Sequence, residues 1–134
     1  MGLTVVNYRQ ICIQILDLDK SIRFAGIASL EGKILAGEYR EGIEPLLTLQ
    51  ESELSIMQSL MRMSMRKALE GKLGKTEYAT AVYQKVKRST ISLFNEGEKS
   101  DSYLMVSFER QANHEALIND KILPFLQKIG KGLG

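Results

Sequence analysis

Two short β-forming runs around an acid–glycine turn restrict the fold of this chain more than any other feature. They cover residues 22–29 and 34–39. Gly32, between them, supplies the positive φ that a tight hairpin turn requires. Gly26 and Gly37 lie inside the runs, where glycine indicates a bulge or a neighbour packed very close. The sequence therefore predicts an antiparallel hairpin.

A helical repeat precedes this hairpin. From about Val5 to Lys20, apolar residues recur at i, i+3, i+4 and i+7, which favours an amphipathic helix. The alternative is a strand through Ile11–Leu16, because isoleucine and cysteine favour sheets. We interpret the segment as a helix.

A second helix follows the hairpin and is rich in methionine. Thr48 and Glu51 match a capping box at its start, and Gly71 and Gly74 mark its end. Its apolar residues form a main stripe, which we interpret as core, and a second side, which we expect a partner to cover because methionine suits adaptable interfaces. The main stripe consists of Leu54, Met57, Leu60, Met61, Met65, Ala68 and Leu69, and the second side of Ile56 and Met63.

The segment from Tyr78 to Phe94 is rich in β-forming residues. We interpret it as two strands with a turn near residues 87–89. A helix over residues 77–87 is the alternative, through Tyr78 and Val82.

The C-terminal part of the chain completes a mixed α/β pattern. Residues 95–101 are a polar turn, and Tyr103–Phe108 predicts a strand. Asn113 is placed to cap a last helix, which Pro124 should kink or break.

Length and composition indicate one ordinary globular domain, residues 1–134. The chain is long enough to bury a core without disulfides or metal, and its apolar share of 44% and charged share of 25% are typical of folded proteins. No apolar run approaches the roughly 20 residues of a membrane-spanning helix, and the N-terminus lacks the pattern of a signal peptide. We therefore expect a soluble, cytoplasmic protein.

No motif in the chain predicts catalysis, a cofactor or a metal. Cys12 is the only cysteine and lies among isoleucines, where a buried thiol is expected. His114 is the only histidine and is interpreted as a surface residue. Residues 71–76 end in Gly-Lys-Thr but lack the first glycine of a phosphate loop. The carboxylate pairs at Asp17/Asp19 and Glu96/Glu98 lie in polar segments. The prediction is that the chain is not an enzyme.

Basic residues are concentrated in one segment. Between Arg62 and Arg88 eight lysines and arginines stand against two glutamates. The candidate basic patch consists of Arg62, Arg66, Lys67, Lys72 and Lys75. We interpret it as a solvated helix face with its connecting loop, and consider nucleic-acid binding unlikely.

The order helix, hairpin, helix, three strands, helix resembles the roadblock/LC7 family, whose fold is profilin-like and related to longin domains. The resemblance is carried by residues 24–36 and by the methionine-rich helix that follows. It implies an α+β domain with an antiparallel sheet of about five strands flanked by three helices. Roadblock proteins typically dimerise through the central helix and the next strand, and many associate with small GTPases. An uncharacterised archaeal family with this fold is a further expectation.

The function expected from this resemblance is a non-catalytic, homodimeric interaction or regulatory module, with scaffolding or regulation of a small GTPase as its specific form. The predicted dimer or partner interface consists of Ile56, Met57, Met63 and Val82. The alternative is a small-molecule sensing domain of the PAS/GAF kind, in which Gly26 and Gly37 leave room for a ligand against the sheet.

Overall fold

The computed structural model describes residues 7–94 and 100–133. The first residues of the predicted N-terminal helix and most of the predicted turn at 95–101 lie outside these ranges. In chain order the elements are α1 (Tyr8–Leu16), β1 (Ile22–Ser29), β2 (Ile34–Tyr39), α2 (Leu49–Arg66), a 3₁₀ turn (Lys67–Leu69), α3 (Glu70–Leu73), β3 (Tyr78–Val82), β4 (Val86–Phe94), β5 (Ser100–Glu109), α4 (His114–Leu117), a π turn (Ile118–Ile122) and α5 (Leu123–Leu133).

The five strands form one antiparallel sheet in the order β2-β1-β5-β4-β3. The predicted fold class is confirmed, since the 3₁₀ turn and α3 continue α2, and α4 and the π turn lead into α5. Strands β2 and β3 are the two edges of the sheet. Helices α1, α4 and α5 pack on one face of the sheet, and α2 lies over the other.

Residues Tyr8–Leu16 form a helix, α1, and not the alternative strand. The Asn7 side chain accepts a hydrogen bond from Gln10 N, which caps its first turn. Cys12, Ile15 and Leu16 are buried at the helical spacing of three and four residues, against the sheet. The burial of one helical stripe outweighs the β-preference of the isoleucines.

The predicted hairpin is confirmed. Gly32 has φ +90° in the turn, and Gly26 pairs with Gly37 across the two strands. The ring of Phe24 lies against both glycines, so the close neighbour that these glycines predicted is an aromatic side chain of the same sheet.

The sheet has one apolar face and one mixed face. The apolar face packs under α1 and α5 and is built from fully buried residues, among them Ile22, Ile27, Leu104, Val106, Phe108 and Ile91. The smaller cluster on the other face joins Ala28, Tyr103 and Met105 of the sheet to Leu60 and Met63 of α2. Most of the core therefore lies on the side away from α2.

Residues 78–94 form two strands, as predicted, but the position predicted for their turn is wrong. The chain reverses between Val82 and Val86, where Tyr83 N donates to the carbonyl of Val86 at 2.8 Å. Lys87 and Arg88 belong to β4, where they pair with Val82 and Ala81 of β3. The Lys87 side chain reaches beyond the sheet, and its Nζ donates to Ala112 O at 2.6 Å.

The last helix begins at the predicted cap. The Asn113 side chain accepts from Ala116 N at 3.1 Å. The irregularity predicted from Pro124 takes the form of the π turn immediately before it, in which Ile118 and Ile122 are buried. A widened turn there fits the missing N–H of proline, which cannot continue the helical hydrogen bonds.

Candidate interaction surface and cavity at helix α2

Helix α2 begins at a complete capping box. The Thr48 hydroxyl accepts from Glu51 N at 3.1 Å, and Glu51 Oε1 accepts from Thr48 N at 2.8 Å. The helix packs against the turn of the hairpin, where Met57 Sδ lies next to Gly32. The second of these contacts places the middle of α2 at the hairpin turn between β1 and β2.

The outer side of α2 is apolar and exposed. We call it the outer stripe, and its members follow each other at intervals of three and four residues. Met61, near its centre, is 61% exposed. The outer stripe consists of Leu54, Met57, Met61, Met65, Leu69 and Leu73.

The predicted roles of the two sides of α2 are therefore reversed. Within the protomer Met63 is buried, with 3% of its surface exposed, and Ile56 is half-buried; both pack toward the sheet. Of the predicted main stripe, only Leu60 is buried. The periodicity correctly indicated two apolar sides of the helix. The side with more apolar residues is exposed to solvent in the protomer, and the other side packs on the sheet.

The inner side of α2 carries small polar residues beside the Ile56, Leu60 and Met63 contacts. Ser52, Ser55 and Ser59 are half-buried and face the sheet. These serines are part of the lining of a cavity of about 1100 Å³ between α2 and the sheet.

The floor of the cavity is formed by the mixed face of the sheet. One row across β1, β5 and β4 is Phe24, Ser107 and Arg88. The next row is Gly26, Met105 and Thr90, where Thr90 Oγ1 lies 3.7 Å from Met105 Sδ. The floor is thus apolar toward β1 and polar toward β4.

Arg88 spans the cavity from sheet to helix. Its Nη1 donates to Ser55 Oγ at 2.6 Å, and within the described residues it has no carboxylate partner. Arg62 and Arg66 line the same space from α2, and Arg66 Nη1 lies 3.7 Å from Met63 Sδ. Glu51 is the one acidic residue among the described lining residues, and it is bonded to the backbone of Thr48.

Solved structures with the same arrangement exist. The roadblock/LC7 domain from Streptomyces avermitilis superposes with a TM-score of 0.69 over 96% of this chain and 98% of that chain, at 10% identity. Myxococcus xanthus MglB gives 0.68 over 96% of both chains, at 10% identity. A structure described as MglB with tetrameric arrangement gives 0.66 over 98% of this chain and 96% of that chain, at 14% identity. This chain has the roadblock/LC7 fold.

The roadblock likeness is one of structure. No protein-family model matches the chain, and no curated protein matches it in sequence. The organisms named for the matched structures give no support to the archaeal origin expected from the sequence.

The predicted basic patch lies along the second half of α2 of this roadblock fold and along the 3₁₀ turn, α3 and the loop that follow it. Arg62, Arg66, Lys67, Lys72 and Lys75 are all exposed. The structure separates their roles, because Arg62 and Arg66 also line the cavity, whereas Lys67 and Lys72 do not. Val82, the strand residue of the predicted interface, is 53% exposed on the edge strand β3.

Cys12 and Asp19, two of the titratable groups considered in the sequence, do not line the cavity. Cys12 is buried, and burial, followed by the nearby charge of Glu38, raises its pKa to about 11. Asp19 accepts from the backbone and side chain of Ser21, which lowers its pKa. Within residues 7–94 and 100–133, no group of three or more acidic, histidine or cysteine side chains is placed to hold a metal.

His114 differs from its predicted surface position. It is half-buried, and its Nδ1 is enclosed without a hydrogen-bond partner. Burial, followed by the charge of Lys87, lowers its pKa.

None of the helices in the described residues is long and apolar enough to cross a membrane.

Sequence reasoning missed Arg88 and the three inner serines. The signal was present as a serine at positions 52, 55 and 59, a spacing that keeps one helical side polar and small between two apolar stripes.

Proposed function

We propose that this protein is a non-catalytic homodimeric module that acts in the cytoplasm by binding other proteins. The observation that carries the proposal is the outer stripe of α2. Leu60 and Met63 pack on the sheet, but large apolar side chains also lie on the solvent side of the helix, where an ordinary amphipathic surface helix carries polar residues.

An uncovered stripe of this kind favours an apolar partner surface. Soluble monomers seldom expose contiguous apolar patches, and larger ones mark interaction sites. Methionines supply three of the six members of the stripe, and their flexible side chains adapt to an opposing surface.

A second copy of the chain is the occupant that we propose for the outer stripe. Strand β3 is an edge of the sheet and follows α3 in the chain, and Val82 at its end and Tyr83 in the turn after it are exposed. An unpaired edge strand offers backbone groups to a second strand. A two-fold axis beside α2 and β3 would cover both features at once, and the tetrameric arrangement of one similar structure is a precedent for assembly of this fold.

The experiment is sedimentation velocity on the whole chain and on two variants. We expect the unaltered protein to sediment as a dimer at micromolar concentration. Met61→Glu places a charge at the centre of the outer stripe and should weaken the dimer by at least about tenfold. Gln111→Glu adds the same charge at an exposed position before α4 and should leave the dimer unchanged.

A monomeric unaltered protein would contradict the proposal, as would equal dimerisation of the Met61→Glu and Gln111→Glu variants. Met63 is unsuitable for this test, because its burial against the sheet means that a charge there would unfold the protomer.

A small GTPase is the partner class that the roadblock resemblance favours. Purified Ras-like GTPases from the source organism should bind the dimer by calorimetry, with affinities that differ between the GDP and GTP-analogue forms. Equal, or absent, binding of both forms would reject the GTPase as partner and leave the dimer proposal standing.

A further inference from the structure

We propose that the cavity between α2 and the sheet is a binding site for a small organic anion, specifically a carboxylate carried on an apolar body. The inference concerns the inner side of α2, whereas the proposed dimer uses the outer stripe. Met61, at the centre of the outer stripe, does not line the cavity, so a substitution there separates the two proposals.

The helix wall of the cavity is built to leave space. Ser52, Ser55 and Ser59 face the sheet at positions where a dry helix–sheet contact would place leucine or isoleucine. Ile56 and Met63 close the cavity along one side of the same helix. Residue type therefore contributes to the cavity, since leucines at the three serine positions would fill part of it.

The sheet wall supplies a shallow floor for an apolar body. Ala28 of β1 and Ala79 of β3 face α2 on either side of Met105 and its neighbours, and the ring of Phe24 covers Gly26. The two alanines keep the floor low beside the Phe24 ring and Met105. An apolar group of several carbon atoms would contact Phe24, Ile56 and Met105 there.

The charges at the cavity select an anion. Arg88 is half-buried and uses one N–H on the neutral hydroxyl of Ser55. A guanidinium presents five N–H donors, and its planar fork fits the two oxygens of a carboxylate. Arg62 and Arg66 add positive charge, and the acidic Glu51 is engaged at the helix cap.

The cavity has room for more than an inorganic ion. Its volume of about 1100 Å³ slightly exceeds the usual range for small-molecule sites, about 300–1,000 Å³. The ligand should therefore place its carboxylate between Arg88 and the serines and its apolar body toward Phe24 and Met105.

Decanoate is a suitable probe, with acetate and 1-decanol as the two halves of its chemistry. We expect saturable binding of decanoate by calorimetry, with amide chemical-shift changes on the inner residues of α2 and on β4 and β5. Acetate and 1-decanol should each bind at least about tenfold more weakly, because one lacks the apolar contact and the other the charge.

Two variants test the residues. Arg88→Gln should weaken decanoate binding by about tenfold or more, whereas Arg110→Gln removes an equal charge from an exposed position outside the cavity lining and should not. Ser59→Leu keeps every arginine and takes up cavity space one helical turn from Ser55, so it should weaken decanoate binding by about tenfold or more. This variant retains a test if Arg88→Gln fails to fold. Met61→Glu should bind decanoate like the unaltered chain.

The proposal is overturned if decanoate fails to bind at about 1 mM, if 1-decanol binds equally well, or if Arg88→Gln and Arg110→Gln bind alike. Shift changes confined to the outer stripe would likewise overturn it, since they would report adsorption on exposed methionines.

Discussion

The ring of Phe24 lies so close to the backbone of Gly26 that a Cβ atom added to this glycine would stand 2.6 Å from Phe24 Cζ and 3.2 Å from the carbonyl oxygen of Ala36. The ring also covers Gly37 on β2 and contacts Tyr39, with ring centroids 4.6 Å apart. The paired glycines thus form the seat of one aromatic side chain.

We predict that Gly26→Ala lowers the free energy of unfolding by about 1–2 kcal/mol, because the Phe24 ring must leave its seat. Urea denaturation would measure the change. Gly71→Ala is the matched control, since nothing lies within 4 Å of the added Cβ and the residue is helical. That variant should be more stable by about 0.5–1 kcal/mol. A neutral Gly26→Ala would contradict the prediction.

A second glycine pair separates backbone strain from contact. Gly32 and Gly42 have nearly equal positive φ values of +90° and +86°, but a Cβ at Gly32 would meet Met57 Sδ at 2.6 Å and one at Gly42 would meet nothing. We expect Gly42→Ala to cost about 1–2 kcal/mol from backbone strain alone. Gly32→Ala should cost more, and the excess should vanish in a Met57→Ala background. If Gly32→Ala still costs more than Gly42→Ala in the Met57→Ala background, contact with Met57 is not the cause of the difference.

Arg40 joins three elements through backbone carbonyls. Its Nε donates to Ile22 O at 2.8 Å, and its Nη2 donates to Asp19 O at 2.8 Å and to Leu16 O at the end of α1. Arg40→Ala should lower the free energy of unfolding by about 2–3 kcal/mol, because partly buried carbonyls lose their donors.

Arg40→Lys should restore less than half of that loss, since one ammonium cannot reach carbonyls on both sides of the guanidinium plane. Arg9→Ala, which removes an exposed ion pair to Glu38, should change stability by no more than about 0.5 kcal/mol. Similar effects of the Arg9 and Arg40 substitutions would refute the bridging role.

The features predicted best from the sequence are those that depend on a few neighbouring residues. The hairpin depends on the φ of Gly32, and the start of α2 on a capping box between Thr48 and Glu51; both are local and both are confirmed. The turn between β3 and β4 was misplaced because no glycine or proline marks residues 83–85.

Features that depend on distant residues were not predictable in this way. Periodicity places Met61 and Met63 on different sides of α2, but it does not say which side meets the sheet. The bonds from Arg40 to α1 and from Arg88 to Ser55 join residues 24 and 33 positions apart. No spacing rule along the chain predicts such contacts.

Stability should fall as the pH is lowered through the histidine range. His114 is the only histidine, and burial, followed by the charge of Lys87, holds its pKa below the ordinary value of 6.5. At pH values just below 6.5 the unfolded chain binds a proton that the folded chain does not, so its contribution to stability is complete above that range and declines below it.

Urea denaturation between about pH 7.5 and 5 would measure this decline. His114→Gln should flatten the profile in that interval, and Asp120→Asn, an exposed neighbour on the π turn, should not. A decline that persists in His114→Gln would assign the pH dependence to another group.

Cys12 gives a single-site test of the core. Its side chain is fully buried between α1 and the sheet, and its pKa of about 11 leaves almost no thiolate at neutral pH. We predict that a disulfide reagent such as DTNB modifies the native protein only as fast as the core opens, and modifies the urea-unfolded chain at the rate of a free thiol. Because there is only one cysteine, the absorbance change counts one site.

Two variants test where the core opens. Gly26→Ala disturbs the opposite face of the sheet, so it should accelerate the DTNB reaction only in proportion to its loss of global stability. Ile15→Ala lies beside Cys12 in the core and should accelerate the reaction at least as much as Gly26→Ala does. Immediate modification of the native chain would show that α1 detaches from the sheet without global unfolding.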